Sequence, residues 1–137
     1  MAKKIEHCEF CGRPICVYHR TITAPMAAVL IAVHRRGKGT WVFMPEFKMG
    51  FKSVKLLAAL SGGDVSKLRF WGLLEVNEKR VGYYRITPAG DAFCLDQTRL
   101  PKFADVRLNK LLGLHGPLIG IQDALRQKFD YQQLMGL

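Results

Sequence analysis

Residues 7–20 read HCEFCGRPICVYHR, a stretch that holds three cysteines and two histidines. Thiolate sulfur and imidazole nitrogen are donors that Zn2+ prefers, and a structural zinc site takes four ligands. Cys8 and Cys11 form a Cys-x2-Cys pair followed by a glycine, which is typical of a zinc knuckle. Cys16 and His19 complete the pattern Cys-x2-Cys-x4-Cys-x2-His. The sequence therefore predicts a structural Zn2+ ion bound by these four residues.

Other interpretations of this stretch stay open. His7 is an alternative to His19 as the fourth ligand. The residues around Cys16 have strand character, and residues three apart in a straight strand point to opposite faces, so both ligands bind one ion only if a turn intervenes. Cys16 could instead pack as a small hydrophobe. A redox function of the Cys-x2-Cys pair is disfavoured, because Pro14 follows closely and no helix in a βαβ setting is predicted there.

The chain is strongly basic, with a formal net charge of +10 at pH 7. Its first 55 residues hold ten Lys or Arg against three Glu. A field of this sign concentrates polyanions, and nucleic acid is the commonest polyanionic partner. The alternative is a solvated basic surface without a specific partner.

The cysteine content and the apolar pattern indicate the cellular compartment and the class of protein. Four cysteines without a signal peptide favour a reducing compartment, so we expect a cytoplasmic protein. The apolar run at 22–33 is too short to span a bilayer, so no membrane partner is expected. Catalytic motifs are not recognisable, which predicts no enzyme and no small-molecule substrate. His34 is expected to pack at a helix end, and His115 lies in a predicted glycine-rich loop without a partner.

A buried central helix is predicted behind the zinc segment. Thr23 supplies a capping side chain, Pro25 suits the first turn and Gly37 follows two arginines that favour a helix end. The residues between them are apolar nearly all round, which is typical of a helix enclosed by other elements. A short strand is expected at 41–44.

The middle of the chain predicts two helices separated by a glycine turn and followed by a charged hairpin. The helices are expected at 53–60 and 64–71, and the hairpin strands at 74–76 and 84–86. Thr87 and Pro88 begin another helix, which runs to about residue 96.

DVSKLRFWGLLEV and GYYRITPAGDAF resemble the recognition helix and wing of winged helix-turn-helix proteins. The Gly-Leu-hydrophobic turn is at 72–74, and the aromatic-x-hydrophobic-Thr-x-x-Gly pattern is at 84–90. The resemblance covers residue 53 to about 96, with 24–36 as the first helix. The chain is also similar to small phage and mobile-element proteins that join such a domain to a Cys-x2-Cys segment. The resemblance implies an α+β fold and a small DNA-binding transcriptional regulator of phage or prophage type.

The resemblance also implies where duplex DNA would lie. The outward residues of the helix at 64–71 would reach base edges in the major groove, and cations of the wing would meet the backbone. Phe70 lies nearer the outer face in the helical pattern and would either contact a thymine methyl group or pack in the core. Arg85 is a further wing candidate. The predicted DNA-binding residues are Ser66, Lys67, Arg69, Lys79, Arg80, Lys52 and Lys55.

Three segments follow from these expectations: a zinc-knuckle-like segment at 1–22, a winged helix domain at 23–98 and a C-terminal extension at 99–137. The extension predicts a small hairpin near 106–112 and an amphipathic helix over 121–135. That helix would pack on its own domain or pair two subunits in a homodimer.

Two other functions compete with DNA binding. An RNA-binding zinc protein would use aromatic residues between positions 41 and 51 as an exposed stacking surface. A protein-binding adaptor would use the winged-helix surface or the C-terminal helix without nucleic acid.

Overall fold

A computed structural model describes residues 6–7, 14–15, 17–48, 65–108, 110–126 and 129–135. The described residues form a mixed α+β fold of short helices and antiparallel sheets. The strands are β1 (Glu6–His7), β2 (Pro14–Ile15), β3 (Val17–Thr21), β4 (Val42–Phe43), β5 (Leu74–Val76), β6 (Tyr83–Ile86), β7 (Leu100–Arg107) and β8 (Lys110–Ile119). The helices are α1 (Ala24–Gly37), α2 (Met44–Lys48), α3 (Pro88–Cys94), α4 (Ile121–Leu125) and α5 (Tyr131–Met135), and a 3-10 helix spans Val65–Trp71.

Helix α1 is the centre of the hydrophobic core. The Thr23 hydroxyl accepts a hydrogen bond from the Met26 N–H at 3.3 Å, and Pro25 lies in the first turn. Apolar side chains on every face of the helix are buried, so the predicted central helix is confirmed. The helix includes Gly37, and Lys38 ends it in the left-handed conformation with φ of 50°.

The segment predicted to be the recognition α-helix is a 3-10 helix, Val65–Trp71. Side chains three apart eclipse one another in a 3-10 helix, so Val65, Leu68 and Trp71 share one side, and all three are buried as predicted. Phe70, for which the sequence left an outward contact and a core position open, is buried as well and belongs to the core.

Trp71 attaches this 3-10 helix to the C-terminal part of the chain. Its indole Nε1–H donates a hydrogen bond to the Pro101 carbonyl oxygen in β7 at 2.9 Å. The helix predicted at 53–60 and the glycine turn that follows it lie outside the described residues.

The predicted hairpin is formed by β5 and β6, with Leu74 opposite Ile86 and Val76 opposite Tyr84. Strand β4, which falls inside the range predicted for a short strand, pairs with the other edge of β6. The resulting sheet has the order β4-β6-β5.

Close packing and backbone conformation explain two glycines beside this hairpin, Gly72 before β5 and Gly90 in α3. The Thr87 hydroxyl donates to the Gly72 carbonyl oxygen at 2.5 Å and accepts from the Gly90 N–H at 3.0 Å, which confirms Thr87 as a helix cap. A Cβ atom at Gly90 would lie 2.3 Å from the Leu73 carbonyl oxygen and 2.6 Å from Ile86 Cγ1. Gly72 has φ of 73°, a conformation that side-chain-bearing residues rarely adopt.

A second three-stranded sheet joins the N-terminal and C-terminal parts in the order β3-β7-β8. His19 in β3 lies opposite Asp105 in β7, and a tight turn joins β7 to β8 where Arg107 opposes Lys110. The predicted C-terminal hairpin is thus confirmed. Strand β8 runs through Pro117, which a strand tolerates at the edge of a sheet, and β8 is an edge strand of this sheet among the described residues.

The C-terminal segment forms two five-residue helices, α4 and α5, and not the single amphipathic helix that the sequence predicts. Arg126 ends α4 in the left-handed conformation, with φ of 52°. Both short helices pack against α1, and the Arg35 guanidinium donates to the Leu134 carbonyl oxygen at 2.9 Å. Homodimerisation through 121–135 stays a prediction.

One cluster of buried side chains contains residues from all three predicted segments. Ile22 comes from the first segment, α1 from the second, and Ala104 and Leu125 from the third. The boundaries at 22/23 and 98/99 stay a prediction. Among the described residues, none of the helices has both the length and the apolar character that crossing a bilayer would require.

The packing of Gly90 gives a stability prediction. Replacing Gly90 with Ala pushes a methyl group into backbone and should lower the free energy of unfolding by about 3 kcal/mol. Gly113→Ala is the matched control, because its Cβ would meet no atom within 4 Å, and its effect should stay within about 0.5 kcal/mol. Urea denaturation followed by circular dichroism measures both, and equal midpoints for the two variants would contradict the packing.

Candidate functional site

Most of the predicted zinc ligands fall outside the part of the chain that the structure describes. This applies to Cys8, Cys11 and Cys16, and also to the predicted DNA contacts Lys52 and Lys55. The strands β1 and β2 pair antiparallel and flank residues 8–13 in the sequence. His19, the fourth predicted ligand, lies in β3.

The predicted base-reading residues Ser66, Lys67 and Arg69 lie on the 3-10 helix and are half-buried, not fully outward. The Lys67 ammonium lies 5.9 Å from the centre of the Phe70 ring, and the Arg69 guanidinium lies 5.0 Å from it. These contacts restrain the two cations beside a buried aromatic ring.

A cleft of about 170 Å3 opens beside Lys67. It is lined by His19, Arg20, Thr21, Thr23, Met26 and Lys67. The Arg20 Nε atom is buried and has no hydrogen-bond partner among the described residues. A lysine and an arginine therefore line one space, which suits an anionic group.

The hairpin tip carries exposed cations and an exposed apolar side chain. Lys79 and Arg80 are exposed, and Val81 between Arg80 and the return strand is 93% exposed. The Asn77 side-chain oxygen accepts from the N–H groups of Lys79 and Arg80 at 3.0 and 3.1 Å. The Arg80 guanidinium lies 5.0 Å from the centre of the Tyr83 ring. These contacts fix the backbone of the tip and direct its charge into solvent.

Arg85, the further wing candidate, is engaged within its own sheet. Its guanidinium donates to the Glu75 carboxylate at 2.5 Å and lies 4.5 Å from the centre of the Trp41 ring. Trp41 therefore has a cation against its ring and is still 37% exposed. Phe43 stacks on Tyr83 with ring centres 4.9 Å apart.

Three side chains converge on the outer face of the sheet β3-β7-β8. Asp105 Oδ1 accepts from His115 Nε2–H at 2.9 Å and also from His19 Nδ1–H. The ligand-capable atoms of these residues, which we call the His-Asp-His cluster, all lie within 4.8 Å of one another. The expectation that His115 sits in a loop without a partner is wrong, since it lies in β8.

Hydrogen bonding sets the charge state of the cluster. The hydrogen bond from His115, and to a lesser extent that from His19, lowers the pKa of Asp105 below its usual value, against an opposing effect of desolvation. The carboxylate is therefore ionised throughout the neutral pH range. Both histidine rings are half exposed, with 51% and 50% of their side-chain surface accessible.

Sequence reasoning missed this cluster because it depends on strand register. Phe103 and His115 are direct partners across β7 and β8, and the pairing shifts by bulges on both sides of this point. The sequence signal that could have revealed the cluster was the predicted C-terminal hairpin, since it brings positions near 105 and 115 together. His34, by contrast, packs as expected: its Nδ1 lies 2.7 Å from the Asp91 carboxylate in α3.

No protein-family model, curated protein or solved structure matches this chain. The described residues offer a cationic hairpin tip, a cleft with two cations and a histidine–carboxylate cluster. The first two suit a polyanion, and the third offers donors that suit a divalent metal.

Cys94 gives a prediction that concerns thiol chemistry. Its side chain is buried in α3, and burial, with a smaller effect of the nearby Asp91 charge, raises the pKa of the thiol. Because only the thiolate reacts, Cys94 should resist iodoacetamide in the native protein at a pH of about 8.5 and react once urea unfolds the chain. Peptide mapping by mass spectrometry measures this, and rapid native labelling of Cys94 would contradict its burial.

Proposed function

We propose that the protein binds duplex DNA as a small transcriptional regulator of the winged helix-turn-helix kind. The observation that carries the proposal is the β5–β6 hairpin, which directly follows the 3-10 helix and presents Lys79 and Arg80 at an exposed tip.

The order of elements supports a winged helix. After α1 come β4, the 3-10 helix and then the β5–β6 hairpin, and β4 pairs with β6 to extend the hairpin into a sheet. The helix proposed at 53–60 would precede the 3-10 helix. Lys52 and Lys55 belong to that part of the proposal as phosphate contacts.

The hairpin tip is proposed to act as the wing. Its two cations would lie over the phosphate backbone or the minor groove, where contacts position a protein without reading sequence. Asn77 fixes the backbone at both cations through its hydrogen bonds. Binding would therefore cost little additional conformational entropy of the loop. Val81 adds an exposed apolar group that could pack against the sugars of a groove wall.

The 3-10 helix is proposed to face the major groove, with different tasks for its two cations. Arg69 would read a base edge, since a guanidinium matches the two acceptors of guanine. Lys67 shares its cleft with Arg20, and two cations around one space suit a backbone phosphate. Ser66 would add a hydrogen bond to base or phosphate.

A structural Zn2+ ion is proposed beside this domain. The donor chemistry of Cys8, Cys11 and Cys16 fits zinc, and β1 pairs with β2 on either side of the first two cysteines. His19 remains a candidate through its Nε2 atom because Nδ1 is turned toward Asp105, and His7 is the alternative. Bound zinc would stabilise a short segment against the start of β3, since metal binding and folding share one free energy.

A protein-binding role is the second candidate, and the edge strand β8 favours it. Leu112 and Leu118 are 58% and 61% exposed on this strand. Exposed apolar residues on a sheet edge are typical of a surface that pairs with another chain.

The DNA proposal predicts two classes of variant. Arg69→Ala should cost about 1–3 kcal/mol of discrimination between the preferred duplex and others. Lys79→Ala and Arg80→Ala should weaken all duplexes alike and reduce the slope of log K against log salt by about 1 each. Lys110→Ala, which removes one exposed charge from β8, is the matched control and should change neither quantity appreciably.

Fluorescence anisotropy at several salt concentrations measures these effects, with a duplex selected from a random pool. Equal losses in all four variants would mean that only net charge matters, which contradicts a specific interface. Single-stranded RNA that outcompetes the duplex at fixed salt would favour RNA binding and overturn the proposal.

The zinc proposal predicts that metal removal destabilises the protein. A strong chelator should release zinc and lower the midpoint of thermal unfolding measured by circular dichroism. Replacing Cys8 and Cys11 with Ser should have the same effect without chelator. Zinc release with an unchanged midpoint and unchanged helix content would contradict a stabilising role.

A further inference from the structure

We propose that the His-Asp-His cluster of His19, Asp105 and His115 is a second divalent metal site, separate from the cysteine site, whose fourth ligand would then be His7 in place of His19. It would take Zn2+ or a similar first-row transition metal ion and would connect the N-terminal strand to the C-terminal hairpin. This inference does not depend on DNA binding.

The geometry of the three donors fits one ion. Zinc binds imidazole nitrogen and carboxylate oxygen at about 2.0–2.2 Å, which places neighbouring ligand atoms about 3.3 Å apart in a tetrahedron. In the cluster, His115 Nε2 lies 2.9 Å from Asp105 Oδ1, and all three donor atoms lie within 4.8 Å of one another. Small rotations of the side chains are enough to place one ion among them.

Strand register holds these donors on one face of a sheet. His19 and Asp105 are direct partners on β3 and β7. His115 faces Phe103, which is two residues before Asp105 and therefore on the same side of β7. The His115 and Phe103 rings lie with centres 5.6 Å apart, which limits the rotation of the imidazole. Three neighbouring strands thus supply one donor each.

The donor types indicate the class of metal. Two imidazoles and one carboxylate suit zinc, cobalt, nickel or copper, whereas calcium and magnesium prefer oxygen donors alone. Both histidines now donate a ring N–H to the same carboxylate oxygen. When an ion binds, the proton on each of these nitrogens would move to the other nitrogen of the same ring, so that both rings stay neutral and both freed nitrogens and the carboxylate oxygen act as ligands. Because the rings are half exposed, water has access to the remaining coordination position.

A metal ion at this position would affect the stability of the fold. His19 and Asp105 are 86 residues apart in the chain, and the bond between them joins β3 to β7. An ion that binds only the folded protein stabilises it by mass action. The proposed metal would therefore strengthen the attachment of β3 to the β7–β8 hairpin.

The test uses the full-length, metal-stripped protein, titrated with Zn2+ in a calorimeter and with Co2+ in a spectrophotometer. His115→Gln keeps a polar side chain of similar length but removes the imidazole donor. This variant should bind one equivalent of Zn2+ less than the wild type, or bind it more than about tenfold more weakly, since even the loss of an outer partner costs that much. His34→Gln is the matched control, because His34 also contacts a carboxylate but belongs to no such cluster within the described part of the chain, and this variant should behave like the wild type.

Cobalt separates the two proposed metal sites. Cobalt bound by thiolates has intense sulfur-to-metal charge-transfer absorption, whereas cobalt bound by histidine and carboxylate has only weak visible bands. His115→Gln should lose the weak bands and keep the charge-transfer absorption, and replacing Cys8 and Cys11 with Ser should do the reverse. If the serine variant does not fold, the cluster can still be tested by thermal unfolding. Zn2+ should then raise the melting temperature of the wild type more than that of His115→Gln.

Two outcomes would overturn the proposal. Identical Zn2+ stoichiometry and affinity in wild type and His115→Gln would mean that the cluster is an ion pair without a metal. Loss of the charge-transfer absorption in His115→Gln would mean that His115 belongs to the cysteine site and that no separate site exists.

Discussion

Burial of α1 on every side is the constraint on which the rest of the structure depends. A helix with apolar residues around its whole circumference cannot remain in contact with water, so other elements must enclose it. The 3-10 helix, β6 and the α3 helix pack against it, and α4 and α5 pack on it from the C-terminal part. The buried cluster around α1 therefore draws its members from Ile22 and from elements on both sides of the hairpin, as far as α5.

Features with local physical causes could be predicted from the sequence. Thr23 and Thr87 cap helices through bonds to residues three positions on, and a proline follows each within two residues, so both starts are visible in a short window. The β5–β6 hairpin was equally visible, because alternation of Leu74 and Val76 with polar neighbours is a local pattern.

Features set by tertiary packing could not be predicted in this way. Phe70 follows an arginine, and its position in the helical pattern left both the surface and the core open, yet its ring is buried in the core cluster. Pro117 continues a strand only because that strand is at an edge, and edge position is not a property of the local sequence. The His-Asp-His cluster requires the register of three strands and two bulges, which no window of residues contains.

The pairing of β3 with β7 has a consequence for how the chain reaches its native state. During synthesis, β3 leaves the ribosome long before its partner strand exists, and closing a loop of this length has an entropic cost that slows folding. Until β7 has been synthesised, the nascent chain therefore exposes the apolar α1 and the unpaired edge of β3. During this period, association with other chains competes with folding. Cleavage after α3 would remove β7 and leave β3 without its neighbouring strand. Loss of the chain after α3 should therefore also destabilise the N-terminal segment that contains β3.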